Sequence, residues 1–266
     1  MSTKVCVLGA GGRMGQSVIR AVSERDDATL VGAVDRLAGP ALGKDCGRLL
    51  GLDAMGITVA DSLDAAITAG VVVIDFSAPD ALISALPAVQ ATGAALVTGT
   101  TGLSPEQLTR LEAAAADVPI LRADNFSVGV VLMRLLARRA AELLGASADV
   151  EIIEAHHRRK VDAPSGTALA VGHSVAAGLG VELDANADWS RHGQVGARGT
   201  GRIGFSVIRG GDIVGEHTAL FAMDGERLEI THRATDRMIF ARGAVRAAAW
   251  LAEQSPGFYT LEDMLG

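Results

Sequence analysis

Cysteine is nearly absent: Cys6 and Cys46 are the only two, too few for a disulfide framework or a four-thiolate metal site. Cys6 falls inside the first apolar run and reads as a small core residue. Aromatic side chains are also scarce, at 3% of 266 residues, whereas glycine numbers 32 and hydrophobic residues reach 49%. That mix disfavours an aromatic-rich sandwich and suits an α/β protein with short turns and an ample core. Positive charge is in deficit. A net charge of -7 argues against nucleic acid or an anionic membrane as the main partner, so an anionic substrate requires a local basic pocket. Long apolar runs are missing too: the best candidate, 128–145, is interrupted by Arg134, Arg138 and Arg139. The first strand begins almost at once, with no secretory pattern before it, so the expectation is a soluble cytoplasmic protein.

What is present is an alternation of β-branched runs and helical patterns through the first half. Residues 5–8, 29–34, 71–76, 95–98 and 119–122 read as buried parallel strands, with helices over 14–24, 80–92 and 105–116. Strand–helix alternation implies a parallel sheet covered on both faces, a doubly wound Rossmann-type architecture. The pattern changes after about residue 127. A helix over 128–145, a strand over 150–155 and a polar loop precede another helix near Ser165. Three longer strands follow, over 201–209, 213–222 and 227–233, whose connections at 210–212 and 223–226 have hairpin chemistry. This predicts a second α+β domain with an open, mostly antiparallel or mixed sheet. The expected domains are therefore 1–127, with 236–266 returning to it through a helix over 237–253, and 128–235. The stretch 182–200 is polar and Gly-rich and reads as a long, mobile loop.

Two motifs carry chemistry. The first is Gly9-Ala10-Gly11-Gly12-Arg13-Met14-Gly15, which follows a strand and opens a helix. Glycines allow the tight turn and let a pyrophosphate approach main-chain N–H groups at a helix N-terminus. Met14 breaks the strict G-x-G-x-x-G spacing, but the context repairs the loss. Asp35 ends the second strand, where a carboxylate accepts adenosine ribose hydroxyls, and Arg36 beside it suits a 2′-phosphate. The pair suggests tolerance of both NADH and NADPH. Gly99, Thr100 and Thr101 follow one later strand, and Ala123, Asp124, Asn125 and Phe126 follow the next. Ligands in open α/β sheets sit at such strand ends, so these segments are assigned to the ribose and nicotinamide side.

The second motif is Glu154-Ala155-His156-His157-Arg158-Arg159-Lys160-Val161-Asp162-Ala163-Pro164-Ser165-Gly166-Thr167. Two histidines, two arginines and a lysine within five residues concentrate positive charge on an acidic chain. Ser165, Gly166 and Thr167 then start a helix whose N–H groups favour a carboxylate. A histidine beside that receptor supplies a proton near neutral pH. A capped basic surface run remains the plain alternative. Zinc is disfavoured, because adjacent histidines on extended backbone point to opposite sides and no HExxH or Cys spacing supports it. An RNA patch would need interleaved aromatics. His173, His192, His217 and His232 read as structural or surface residues.

Together these motifs resemble the 4-hydroxy-tetrahydrodipicolinate reductase (dihydrodipicolinate reductase) family, and the likeness runs nearly end to end. It is carried by VLGAGGRMG, IDFSAPDA, VTGTTGL, NFSVGV, EIIEAHHRRKVDAPSGTAL, GDIVGEHTALFA and ERLEITHRA. The resemblance implies a Rossmann domain and a sheet domain through which the family usually forms homotetramers. It implies NADH or NADPH as cofactor, with Gly9 to Met14 cradling the pyrophosphate and Asp35 and Arg36 reading the ribose. It further implies His156 as proton donor, Lys160 as second acid/base and carboxylate partner, and His157, Gly166 and Thr167 as carboxylate ligands. Asp124 departs from the family, which commonly has Ala or Pro there; an inward-pointing carboxylate would repel a dianion, so an outward one is expected. Rival readings are an aspartate dehydrogenase-like reductase, an aspartate-semialdehyde dehydrogenase and a non-catalytic dinucleotide sensor. The HHRRK…SGT segment opposes the first, and neither cysteine is credibly placed as the nucleophile the second needs.

Overall fold

The computed structural model describes residues 2–37, 39–64 and 66–266. The chain divides into two compact units, Met1–Ser127 with Met238–Gly266, and Val128–Arg237. In chain order the first unit opens with β1 (Thr3–Leu8), α1 (Arg13–Ser23), β2 (Ala28–Val34), α2 (Cys46–Leu49), β3 (Val71–Asp75), α3 (Pro79–Thr92), β4 (Ala95–Thr98), α4 (Pro105–Ala114) and β5 (Pro119–Arg122). The second unit holds α5 (Val128–Leu144), β6 (Asp149–His156), α6 (Gly166–Leu179), α7 (Leu183–Asn186), β7 (Ala187–Asp188), β8 (Ile203–Arg209), β9 (Gly215–Met223) and β10 (Glu226–Ala234). The chain then returns to the first unit with α8 (Met238–Leu251) and β11 (Gly257–Tyr259).

The first sheet is parallel, in the order β11-β5-β4-β3-β1-β2. Its middle strands are continuous apolar runs because both of their faces are covered. Helix α3 sends Leu82, Ile83, Leu86 and Val89 into one core with Leu96 and Ile120, while α1 and α8 pack against each other. Local chemistry sets the helix ends. Ser104 Oγ accepts the Gln107 N–H at 3.2 Å and Gln107 Oε1 accepts the Ser104 N–H at 2.9 Å, a reciprocal cap ahead of Pro105.

The second sheet is mixed, in the order β10-β9-β6-β8-β7. Strand β6 lies between β8, parallel to it, and β9, antiparallel to it. Ile152, Ile203, Phe205 and Phe221 pack with Met133, Val171 and Val175 from α5 and α6. Alternate residues of β9 are buried, as expected for a strand with one face on a core.

The structure corrects three expectations. The 223–226 hairpin is present, pairing Met223 with Glu226 across Asp224 and Gly225, but 210–212 is not a hairpin. Strands β8 and β9 each pair with β6, on opposite edges of it, and not with each other. Strand β11, only three residues long and without a sequence signal of its own, joins β5 in parallel. The stretch 182–200 contains α7 and β7, and Asp188 within it is held by Arg202 Nε at 2.8 Å. Phe221 is fully buried in the second core. Phe221→Ala should lower stability by about 3–5 kcal/mol, read as a lower urea midpoint at unchanged slope.

Candidate active site

In the first unit, the loop after β1 is tied to β2: the Gly9 and Ala10 N–H groups both donate to Val34 O, at 2.8 and 3.0 Å. Gly9 has φ 84, a left-handed value that favours glycine. Gly12 stands as N-cap of α1 without a side-chain cap, so the first-turn N–H groups are left for a ligand. Asp35 faces this loop, its Oδ2 accepting the Gly11 N–H at 3.1 Å and its Oδ1 the Arg36 N–H at 2.9 Å. A Cβ at Gly11 would collide with that carboxylate, so the close approach is open only to glycine. A cavity of about 600 Å³ is lined by Gly9, Gly11, Gly12, Asp35 and Arg36, a size and donor set that fit the adenosine half of a dinucleotide. Ala10 is fully buried, and Arg13 and Met14 open α1.

The next strand ends are organised by Asp75, a fully buried carboxylate that sequence reasoning did not single out. It accepts from Thr98 Oγ1 and Thr100 Oγ1, each at 2.7 Å, and from the Ser77 N–H at 3.0 Å. Burial pushes its pKa up despite these donors. Thr100 is thereby locked, whereas Thr101 is exposed. Gly99 lies against the Phe76 ring, which meets Phe126 edge-to-face at 5.4 Å. Asn125 Oδ1 accepts the Ser127 N–H at 2.8 Å. Ala123 is partly exposed, and Asp124 is exposed and pairs with Arg122 at 2.8 Å, so its carboxylate is turned to that guanidinium. The segments at Gly9–Gly12, Gly99–Thr101 and Ala123–Phe126 all leave the C-terminal ends of parallel strands.

In the second unit, the end of β6 carries an acid–imidazole pair whose carboxylate is buried and whose ring is partly buried. Glu154 and His156 are two apart on a strand and share a face. Glu154 Oε2 lies 2.6 Å from His156 Nδ1. Arg209, the register partner of His156, clamps Glu154 through two bonds of 2.7 and 2.8 Å. The Ser165 N–H adds a fourth bond at 3.0 Å. Desolvation raises the Glu154 pKa, but Arg209, His156 and the Ser165 amide outweigh it and hold the carboxyl below its usual range. An ionised Glu154 accepts from Nδ1–H, which leaves Nε2 of His156 as the ring's other functional nitrogen.

Ser165 is the N-cap of α6: its Oγ accepts the Ala168 N–H at 3.1 Å and lies 3.0 Å from His217 Nε2. Its amide and hydroxyl are both committed inside the protein. Gly166 opens α6, exposed and with open space where a side chain would stand, and Thr167 follows in the first turn. Lys160 Nζ meets Asp162 at 2.9 Å, and this contact draws the Asp162 pKa down. His157 is partly buried and its Nδ1 has no hydrogen-bond partner among the described residues. His217 pairs in register with Glu154, and its ring meets that of His156 edge-to-face at 5.1 Å. It therefore belongs to this cluster, as does Arg209. Neither is singled out by the sequence, because only long-range strand register brings them to residue 154.

A parallel sheet with a glycine-rich loop at its ligand edge, followed by a mixed-sheet unit, defines a Rossmann-type oxidoreductase. The N-terminal dihydrodipicolinate reductase model matches residues 3–126, and the C-terminal one residues 129–265. The chain belongs to the dihydrodipicolinate reductase family. It is 54% identical to the 4-hydroxy-tetrahydrodipicolinate reductase of Alkalilimnicola ehrlichii, and 47% identical to that of Halorhodospira halophila. Each alignment covers 100% of both chains. Its structure resembles a dihydrodipicolinate reductase from Paenisporosarcina sp. TG-14 with dipicolinate bound, at TM-score 0.77 and 25% identity, over 99% of this chain and 100% of that one. A nicotinamide cofactor follows from the family.

Burial first, then the neighbouring His156, pushes the His217 pKa down to about 4. An unfolded histidine titrates near 6.5, so between these values the unfolded chain binds more protons and stability falls as pH falls. Lowering the pH from 7 to 5 should cost about 2 kcal/mol from this residue, before Glu154 begins to titrate. Denaturant midpoints at the two pH values should differ less in His217→Asn than in the natural chain; an equal difference would refute the assignment.

Proposed function

We propose that the protein reduces 4-hydroxy-tetrahydrodipicolinate to tetrahydrodipicolinate with NADH or NADPH, a step of diaminopimelate and lysine biosynthesis in the cytoplasm. The observation that carries the reading is the pairing of His156 with the buried Glu154 beside the start of α6. Residues 1–127, with 236–266, serve as the dinucleotide-binding domain, and 128–235 bind substrate and build a homotetramer. Gly9, Ala10, Gly11, Gly12, Arg13 and Met14 hold the pyrophosphate, Asp35 and Arg36 the ribose, and Gly99, Thr100, Thr101 and Ala123–Phe126 the nicotinamide side. The dipicolinate in the Paenisporosarcina relative supports a receptor for a planar dicarboxylate.

Loss of the 4-hydroxyl together with one C3 hydrogen, as water, would leave a C3=C4 double bond in the substrate ring, and a nicotinamide held by these residues would supply the hydride that C4 takes up. His156 gives the proton that C3 takes up, so hydride and proton together account for the two hydrogens added across C3=C4. Glu154 positions the ring and directs Nε2 outward for this transfer. One carboxylate of the substrate takes the N–H groups of Gly166 and Thr167 at the α6 start. Ser165 acts by holding that turn in place, since its own donors are used. Lys160, with His157, binds the second carboxylate, which displaces Asp162 from the ammonium. Orientation by these groups contributes much of the rate.

A spectrophotometric assay with freshly made substrate tests the scheme. His156→Gln should lower kcat about 10²-fold or more with little change in KM. Lys160→Ala should lower kcat and raise KM. Unaltered kcat in both variants would refute the roles of His156 and Lys160.

A further inference from the structure

The dinucleotide cavity has an acidic wall that hydride transfer and pyrophosphate binding leave unused, and we propose that it makes the enzyme selective for NADH over NADPH. The inference rests on the reductase reading and concerns how this chain discriminates at the adenosine ribose.

Val34 and Ala60 form an isolated parallel bridge, with the Ala60 N–H on Ala33 O at 2.9 Å and the Asp35 N–H on Ala60 O at 3.0 Å. The residue after each bridge partner is an aspartate. Asp35 and Asp61 therefore leave the sheet edge as neighbours, on chains about 4.8 Å apart. Both line the cavity that Gly9, Gly11 and Gly12 line, and so does Asp64. Arg36 is the one cation among the described residues of that lining.

Asp35 is not able to turn aside, because each of its oxygens accepts a main-chain N–H. A fixed carboxylate suits a ribose hydroxyl, which donates to it. A 2′-phosphate in the same place offers nothing to donate and brings nearly two negative charges. It would lose the bond to Asp35 and meet Asp61 and Asp64, with a single exposed guanidinium in compensation. Asp61 and Asp64 are exposed, so their repulsion is moderate and screened by salt. If these aspartates were only solvated surface residues, they would leave the choice of cofactor to Arg36.

Calorimetric affinities for NADH and NADPH, and for ADP and its 2′-phosphorylated counterpart, test this without turnover. The natural chain should bind each 2′-hydroxyl ligand about tenfold or more tightly than its 2′-phosphate partner, and the ratio should shrink as salt is raised from low to near-molar concentration. In Asp61→Asn/Asp64→Asn the NADPH to NADH affinity ratio should rise about tenfold at low salt. Equal or tighter NADPH binding by the natural chain would overturn the inference alone, as would a ratio unmoved by both salt and the paired substitution. Failure of the natural chain to bind either dinucleotide would overturn the reductase reading and this inference with it.

Discussion

The second unit is organised around one costly act, the burial of an ionised carboxylate. Glu154 is 1% exposed, and an unpaired charge in such a place would cost several kcal/mol. The chain compensates with four donors: two from Arg209 on the parallel neighbour β8, one from His156 two residues along β6, and one from the Ser165 amide at the start of α6. These donors come from three separate places in the chain, so satisfying one carboxylate fixes the relative positions of all of them. A hydrophobic residue at 154 would fill the space but specify none of this. The His156 imidazole and the start of α6 are thereby set against each other by the same acid that makes the region expensive to fold.

The first unit repeats the device with different chemistry. Asp75 ends β3 as Glu154 nears the end of β6, and it too is buried and satisfied by groups from neighbouring segments. Its donors are the hydroxyls of Ser77, Thr98 and Thr100 and the Ser77 amide, and its pKa is raised where that of Glu154 is lowered. The contrast follows from the partners. A guanidinium stabilises the anion through charge as well as hydrogen bonds, whereas hydroxyls serve either protonation state. Asp75 therefore reads as a structural tie for the Thr98–Thr100 turn, and Glu154 as a permanent anion facing an imidazole.

The contrast also explains what the sequence made legible. Elements whose character is local were plain in the letters: the strands at 95–98 and 119–122 agree residue for residue, and the glycine loop lies between β1 and α1. Where histidine, arginine and lysine concentrate was plain for the same reason. Partners supplied by long-range register were not. His217 reads as a structural or surface histidine until β9 pairs with β6, and Arg209 as the end of a hairpin strand until β8 runs parallel to β6. The hairpin assigned to 210–212 failed on the same ground. Its turn chemistry is compatible with a local reversal, and the choice between that and a crossover lay in β6, far earlier in the chain.

Charge balance decides how a dianion can be held by so acidic a chain. Several guanidinium groups of the second unit are already matched: Arg209 to Glu154, Arg191 to Glu151, Arg202 to Asp188. Lys160 is matched as well, but by Asp162, which is half exposed and reached through one bond. Replacing an exposed partner costs little, because exposed ion pairs contribute at most about 1 kcal/mol. Displacing Glu154 from Arg209 would strand a buried charge. Among these paired cations Lys160 has the most weakly held partner, so the carboxylate contact proposed for it would displace only an exposed aspartate.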